Sequence, residues 1–234
     1  MIKFFRNIRQ NMIKQNKVSN YLLYAIGEIV LVVIGILIAL QVNNWNETRK
    51  LNATEKEFFQ GVRSDLLQDK AYMNLIIEKA NKKIAAYNMF KDDLQNLYDT
   101  NRPKLDSLLR IYFDLGGTFY PISGSFNSAM SSNEFNTFKN KSLKMMVIKL
   151  YNSTYARLMD NAKSTDERWF YVVKKYSRVR RTGHLGNFSA KQLEEFEDDV
   201  YYHVQGLEYY VGNLKLAIEE IDTFLENEQK AWNE

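Results

Sequence analysis

A lone carboxyl inside an apolar run is the first place in this sequence where chemistry could sit. Glu28 is the single charge in Tyr21–Val42, which reads YLLYAIGEIVLVVIGILIALQV. An ionisable group in that setting is expensive, so it packs against protein, reaches a polar surface, or passes protons or ions. At about 100° per residue, Gly35 and Ala39 fall within about 20° of Glu28 on a helix. Tyr21 and Tyr24 share the stripe. Gly35-x-x-x-Ala39 is a small-xxx-small pattern that lets two helices approach closely. The stripe of Tyr24, Glu28, Gly35 and Ala39 reads as an oligomer contact or as a proton or ion site. A blander reading leaves the Glu28 carboxyl protonated or drawn toward the cytoplasmic interface.

Other constellations are weaker. Glu195, Asp199 and His203 recur every four residues, and such a stripe could offer oxygen and nitrogen ligands to a metal. No second ligand motif accompanies it, so no metal is assigned and a polar helix face is the plainer expectation. Lys174, Lys175, Arg178, Arg180 and Arg181 form a basic cluster that could bind an anion. Glu194, Glu195, Glu197, Asp198 and Asp199 follow across a turn, so pairing between two helices is expected to absorb much of it. The pairs Tyr201-Tyr202 and Tyr209-Tyr210 are expected mostly in buried packing. The chain has no cysteine and two histidines, which excludes disulfides, thiolate metal sites and cysteine nucleophiles. It carries no G-x-S-x-G, P-loop, H-E-x-x-H or dinucleotide fingerprint. We therefore expect no enzyme and no cofactor.

The elements that position these residues begin with a membrane span. Tyr21–Val42 is long enough for an apolar core of roughly 30 Å, with Tyr21 and Tyr24 near one end and Trp45 beyond the other. A cleaved signal peptide would have a shorter apolar core and a small-x-small exit, which Leu40-Gln41-Val42-Asn43 does not supply. Residues 1–20 contain Lys3, Arg6, Arg9, Lys14 and Lys17 and no acid. By the positive-inside rule they are cytoplasmic, and their amphipathic pattern suits an anionic lipid surface. The five charges of this tail less that of Glu28 make up the formal net charge of +4, because the charges beyond residue 42 cancel. That removes the case for nucleic acid. The expected organisation is a tail (1–20), a transmembrane helix (21–42) and an extracytoplasmic, periplasmic domain (43–234) on the inner membrane.

That domain reads as mainly α, an antiparallel bundle of long helices. Apolar residues from Phe59 to Leu97 recur at threes and fours and predict a helix over 47–100. Thr54–Glu57 is a capping-box candidate, as are Ser131–Glu134 and Ser189–Gln192. Asn101-Arg102-Pro103 stops the first helix, and a short one follows to Gly116-Gly117. Helical period returns from Leu143 to about Arg181, breaks at Gly183 and Gly186, and resumes over about 190–232.

MIKFFRNIRQ at the start and YLLYAIGEIVLVVIGILIALQVNNWNE at 21–47 resemble a family of uncharacterised single-pass membrane proteins of Bacteroidetes, especially flavobacteria. The run Tyr24-Ala-Ile-Gly-Glu-Ile29 and the exit Asn43-Asn44-Trp45-Asn46 carry most of the likeness, and Phe126–Tyr151 is similar more weakly. The resemblance implies a single span with a helical exterior and no activity. The leading expectation is a membrane-anchored scaffold or interaction protein of the cell envelope. Its partners would be lipid, further copies of itself through the transmembrane helix, and a second membrane protein. Two alternatives stand beside it. One is a coupling subunit that binds a proton or ion at Glu28. The other is an extracytoplasmic sensor that signals through a separate partner.

Overall fold

The computed structural model describes residues 18–233, and the tail residues Lys3, Arg6, Arg9, Lys14 and Lys17 lie outside them. Every regular element among the described residues is helical. The chain divides into two units, Met1–Thr54 and Glu55–Glu234.

In the first unit, α1 (Val18–Asn88) opens with a long apolar stretch. Leu23, Ile29, Leu31, Ile36 and Leu40 are all exposed. The stretch is long and apolar enough to cross a membrane, and none of it is buried. Beyond it the Arg49 guanidinium lies over the Trp45 ring, 5.5 Å from the centroid.

From Glu55 onward the same helix has one buried stripe. Phe59, Val62, Leu66, Met73, Ile76 and Ala80 are spaced by threes, fours and one gap of seven, and all are buried. No helix start occurs at Thr54–Glu57, because α1 runs through it unbroken; inside it the Glu55 carboxylate accepts from the backbone N–H groups of Lys139 and Asn140. The helix stops at Asn88 instead of running to residue 100. A turn at 89–93 tucks Phe90 fully inside, edge-on to Tyr87 and stacked with Phe196. Burial of that ring outweighs the few backbone bonds lost at the break.

Short helices follow. They are α2 (Leu94–Thr100), α3 (Arg102–Tyr112) and α4 (Gly124–Met130), with a 3₁₀ turn at Asn133–Thr137. Asn101 caps α3 by accepting from the Lys104 N–H, with Pro103 in the first turn. Ser131 and Ser132 close α4 instead of opening the next helix, since their hydroxyls bond back to carbonyls of residues 127–129. α5 (Lys141–Lys149) continues through a π-type turn at Leu150–Thr154 into α6 (Tyr155–Lys175). After α7 (Ser177–Thr182), Gly183 and Gly186 take φ of 78° and 70°, a left-handed region that glycine enters at no steric cost. α8 (Ala190–Asn233) closes the chain.

Partner numbers in α8 fall as those from the end of α5 through α6 rise. Lys149 and Thr154 bond Glu220, Arg168 bonds the Tyr202 carbonyl, and Lys175 bonds Asp199. From α1, Arg63 reaches Glu228 at 3.0 Å and Lys70 reaches Asp222. Two apolar cores result. One joins Phe59–Ile77 of α1 to Phe119, Phe126, α5, the start of α6 and residues 207–224 of α8. The other joins Ala86–Phe90, α2, α3, Val172, Val179 and residues 193–204 of α8.

The capping box at the head of α8 forms. The Ser189 N–H donates to Gln192 Oε1 at 2.9 Å, and the Gln192 N–H donates back to Ser189 Oγ at 3.4 Å. Ser189→Ala is expected to cost about 1 kcal/mol, measured as a lower urea midpoint with unchanged slope.

Candidate functional site

The most concentrated chemistry of the second unit lies where the two cores meet. Lys83 sits on α1 at a position that the apolar stripe would otherwise fill, and only 4% of it is exposed. Its ammonium donates to the carbonyls of Tyr112, at 2.8 Å, and of Asp114. The third side of the ammonium faces Trp169 on α6, 3.7 Å from the ring centroid. Two carbonyl dipoles and one aromatic face thus surround the ammonium. Gly116 makes room, because a Cβ there would stand 3.3 Å from Lys83 Cε. Burial pushes the ammonium down to about 7, with Asp114 pulling the other way.

His203 on α8 completes the cluster. It is buried, and its Nδ1 and the Tyr112 hydroxyl share a hydrogen bond of 2.8 Å. Its ring tilts against Trp169 at 5.0 Å. Burial holds the imidazole down to about 3, helped by the nearby Lys83 and Arg168 charges, so it is neutral at physiological pH. A cavity of about 40 Å³ adjoins these groups, bounded by Lys83, Gly116, Thr165, Trp169 and Tyr210. That space suits a water molecule and is too small for an organic substrate.

One core further along α1, Asp69 plays the opposite part. It is 1% exposed and accepts from the Ile122 N–H at 3.0 Å and from the Tyr155 hydroxyl at 2.8 Å. Burial raises its carboxyl to about 6, against the pull of those two bonds. Asp65 accepts from the Ser125 N–H at 3.1 Å. Together with Glu55, these residues fasten the irregular segment between α3 and α5 to α1. Thr118 and Phe119 are tied from the other side, to Asp166 and to the Tyr210 hydroxyl.

The residues singled out in the sequence fall elsewhere. Tyr24 and Glu28 are half-buried, and Ala39 is exposed. A Cβ added at Gly35 would meet nothing within 4 Å, so that face of the first unit is open to close approach. Glu195, Asp199 and His203 do not converge: Glu195 is exposed, Asp199 holds Lys175 and the Tyr176 hydroxyl, and His203 turns to Tyr112. Among the described residues no three such side chains are placed to hold a metal. Of the basic cluster, Lys175 finds an acidic partner at 2.6 Å. Lys174, Arg178, Arg180 and Arg181 stay exposed with no acidic partner among the described residues, so the expected cancellation is limited to one pair. The tyrosine expectation holds for Tyr210 alone, because Tyr201, Tyr202 and Tyr209 are exposed.

Lys83, Asp69 and Glu55 were not anticipated. The signal was present, since each interrupts the buried stripe of α1 at a position where an apolar residue is expected.

Among the described residues these features define an all-helical protein with one helix fit to cross a membrane and a helical unit fastened by buried ionic side chains. The profile of a family of unknown function (DUF6090) matches residues 28–201, and the chain belongs to that family. No match was found among curated proteins or among solved structures.

Lys83→Met leaves the buried Tyr112 carbonyl without a donor, and a loss of about 2–3 kcal/mol is expected, read by urea unfolding of the detergent-solubilised chain. His203 yields a pH signature. Its folded pKa is depressed below the unfolded value, so the unfolded state binds more protons between about 3 and 6.5. Wild type should therefore lose stability relative to His203→Gln as pH falls through that window, by about 3 kcal/mol at pH 4. Parallel stability curves for the two proteins would sink the assignment.

Proposed function

We propose that this protein is a membrane-anchored interaction protein, a scaffold or accessory subunit of the cell envelope in a bacterium of the Bacteroidetes. Residues 21–42 cross the inner membrane once, with the basic tail on the cytoplasmic leaflet and residues 43–234 outside as an antiparallel helical bundle. Copies associate through the stripe of Tyr24, Glu28, Gly35 and Ala39. The observation that carries this reading is the apolar opening of α1, whose large apolar side chains are exposed. An element with so many exposed apolar side chains needs lipid or other helices as its solvent. Gly35, with open space where a side chain would stand, marks the face on which a second helix fits most closely.

The polar members of the stripe support association over simple anchoring. Among the described residues the Tyr24 hydroxyl is enclosed and has no hydrogen-bond partner, and in hydrocarbon such a group gains from a neighbouring helix. Membership in a family of unknown function adds no activity.

The test uses two differently tagged full-length copies, expressed together and extracted gently. Gly35→Leu or Ala39→Leu is expected to lower their copurification about tenfold, since about 1.4 kcal/mol of lost packing suffices, while Glu28→Gln has a mild effect. Undiminished copurification in both leucine variants would overturn the packing face. A stoichiometric second membrane protein in the particle, combined with loss of that complex's function in a fully assembled Glu28→Gln variant, would favour the coupling subunit instead.

A further inference from the structure

Two surface grooves of opposite charge lie at the two ends of segment 114–120. The first, of about 530 Å³, runs between α1 and α3. Leu75, Ile111 and Leu115 form its exposed apolar part, and Lys79, Lys82 and Arg110 its charged rim. Lys82 is paired with Glu78 on this rim, so Lys79 and Arg110 against Asp114 leave the groove net positive. The second, of about 390 Å³, runs along α6. Tyr120, Met159 and Phe170 are its exposed apolar part, with Asp160, Asp166 and Glu167 around them. With Lys163 included it nets two negative charges.

Large apolar side chains are strongly exposed in both places: Leu115 is 67% accessible, Tyr120 72% and Phe170 63%. Contiguous exposed apolar surface rimmed by charge marks an interaction site. The spacing of the two grooves is set by the clasps described above. Lys83 holds the start of the segment, and Asp166 and Tyr210 hold Thr118 and Phe119.

We infer that the two grooves are the halves of one head-to-tail contact between copies of this chain, the Leu115 groove of one copy receiving the Tyr120–Phe170 surface of the next. Opposite net charge selects the partner and the orientation, and the apolar residues at the centre of each groove supply the area. Every copy carries both halves, so the contact is heterologous and closes into a ring or continues as a row. A head-to-tail contact allows all copies to point the same way, as chains anchored in one membrane must. The inference rests on the self-association proposed above and uses a different surface, so the two can fail separately.

Disulfide cross-linking in native membranes tests it, because the chain has no cysteine of its own. One tagged copy carries Leu115→Cys and the other Phe170→Cys. A cross-link between the two tags is expected. Lys79→Glu with Lys82→Glu on the first copy should lower its yield about tenfold, as should Asp160→Lys with Glu167→Lys on the second. Combining the two reversed copies should restore it, a result that misfolding of either variant cannot produce. Absence of the cross-link, indifference to both reversals, or no recovery in the combined pair each overturns the contact. If the tagged copies still copurify in that case, the transmembrane association stands and the basic groove is left to a separate anionic partner. If they do not copurify, the oligomer reading falls with it.

Discussion

A buried backbone group must find a hydrogen-bond partner, and segment 113–140 has too little regular structure to supply its own. Helix α1 supplies them with side chains. A cation, Lys83, takes the carbonyls at the end of α3. Anions take the amides farther on: Asp69 at Ile122, Asp65 at Ser125 near the start of α4, and Glu55 at Lys139 and Asn140 just before α5. The signs agree with the partial charges of the helix ends they meet. Remove that arrangement and Phe119, Phe126, Phe135 and Phe138, all buried, lose the segment that carries them into the first core.

The helical character of the chain was legible from period, and so were some of the punctuating residues. Ser189 and Gln192 cap as their spacing predicts, Gly183 takes the left-handed turn, and Asn101 with Pro103 separates α2 from α3. The clasps were not read, and the reason is physical. The apolar stripe of α1 passes Phe59, Val62, Leu66, Met73, Ile76 and Ala80, and the step from Leu66 to Met73 skips the turn where Asp69 sits. Glu55, Asp69 and Lys83 follow one another at equal intervals of fourteen residues, about four helical turns. A charged residue on such a stripe looks like a lapse in the pattern until its partner is known. That partner is a backbone amide or carbonyl, which has no residue type and leaves no trace in sequence.

The break at 89–93 escaped for a related reason. No proline or glycine marks it, and each residue there is an adequate helix former or turn former. Phe90 decides the matter through Phe196, more than a hundred residues away. Tyrosine misled in the other direction. Tyr112, Tyr155 and Tyr210 are fully buried because each hydroxyl has a partner: His203, Asp69 and the Phe119 N–H. Tyr201, Tyr202 and Tyr209 face solvent. The ring alone does not predict burial, because a buried hydroxyl without a partner cancels much of what the ring gains.

Ionic clasps are a costly way to hold a segment, since a charge taken from water loses several kcal/mol of solvation. Apolar packing of equal volume gives more stability and less discrimination. The buried stripe of α1 nearly repeats every turn, so a segment held by aromatic contacts alone could shift along it by one turn and bury similar area. The clasps do not allow that. A shift of one turn takes Lys83 away from the carbonyls of Tyr112 and Asp114 and leaves an ammonium buried among apolar groups. The same shift takes Asp69 from the Ile122 amide and the Tyr155 hydroxyl. Each loss costs more than the area regained, and the opposite signs of Lys83 and Asp69 prevent one from substituting for the other. The register of segment 113–140 on α1, and with it the position of both surface grooves, therefore follows from where three charged residues interrupt one apolar stripe.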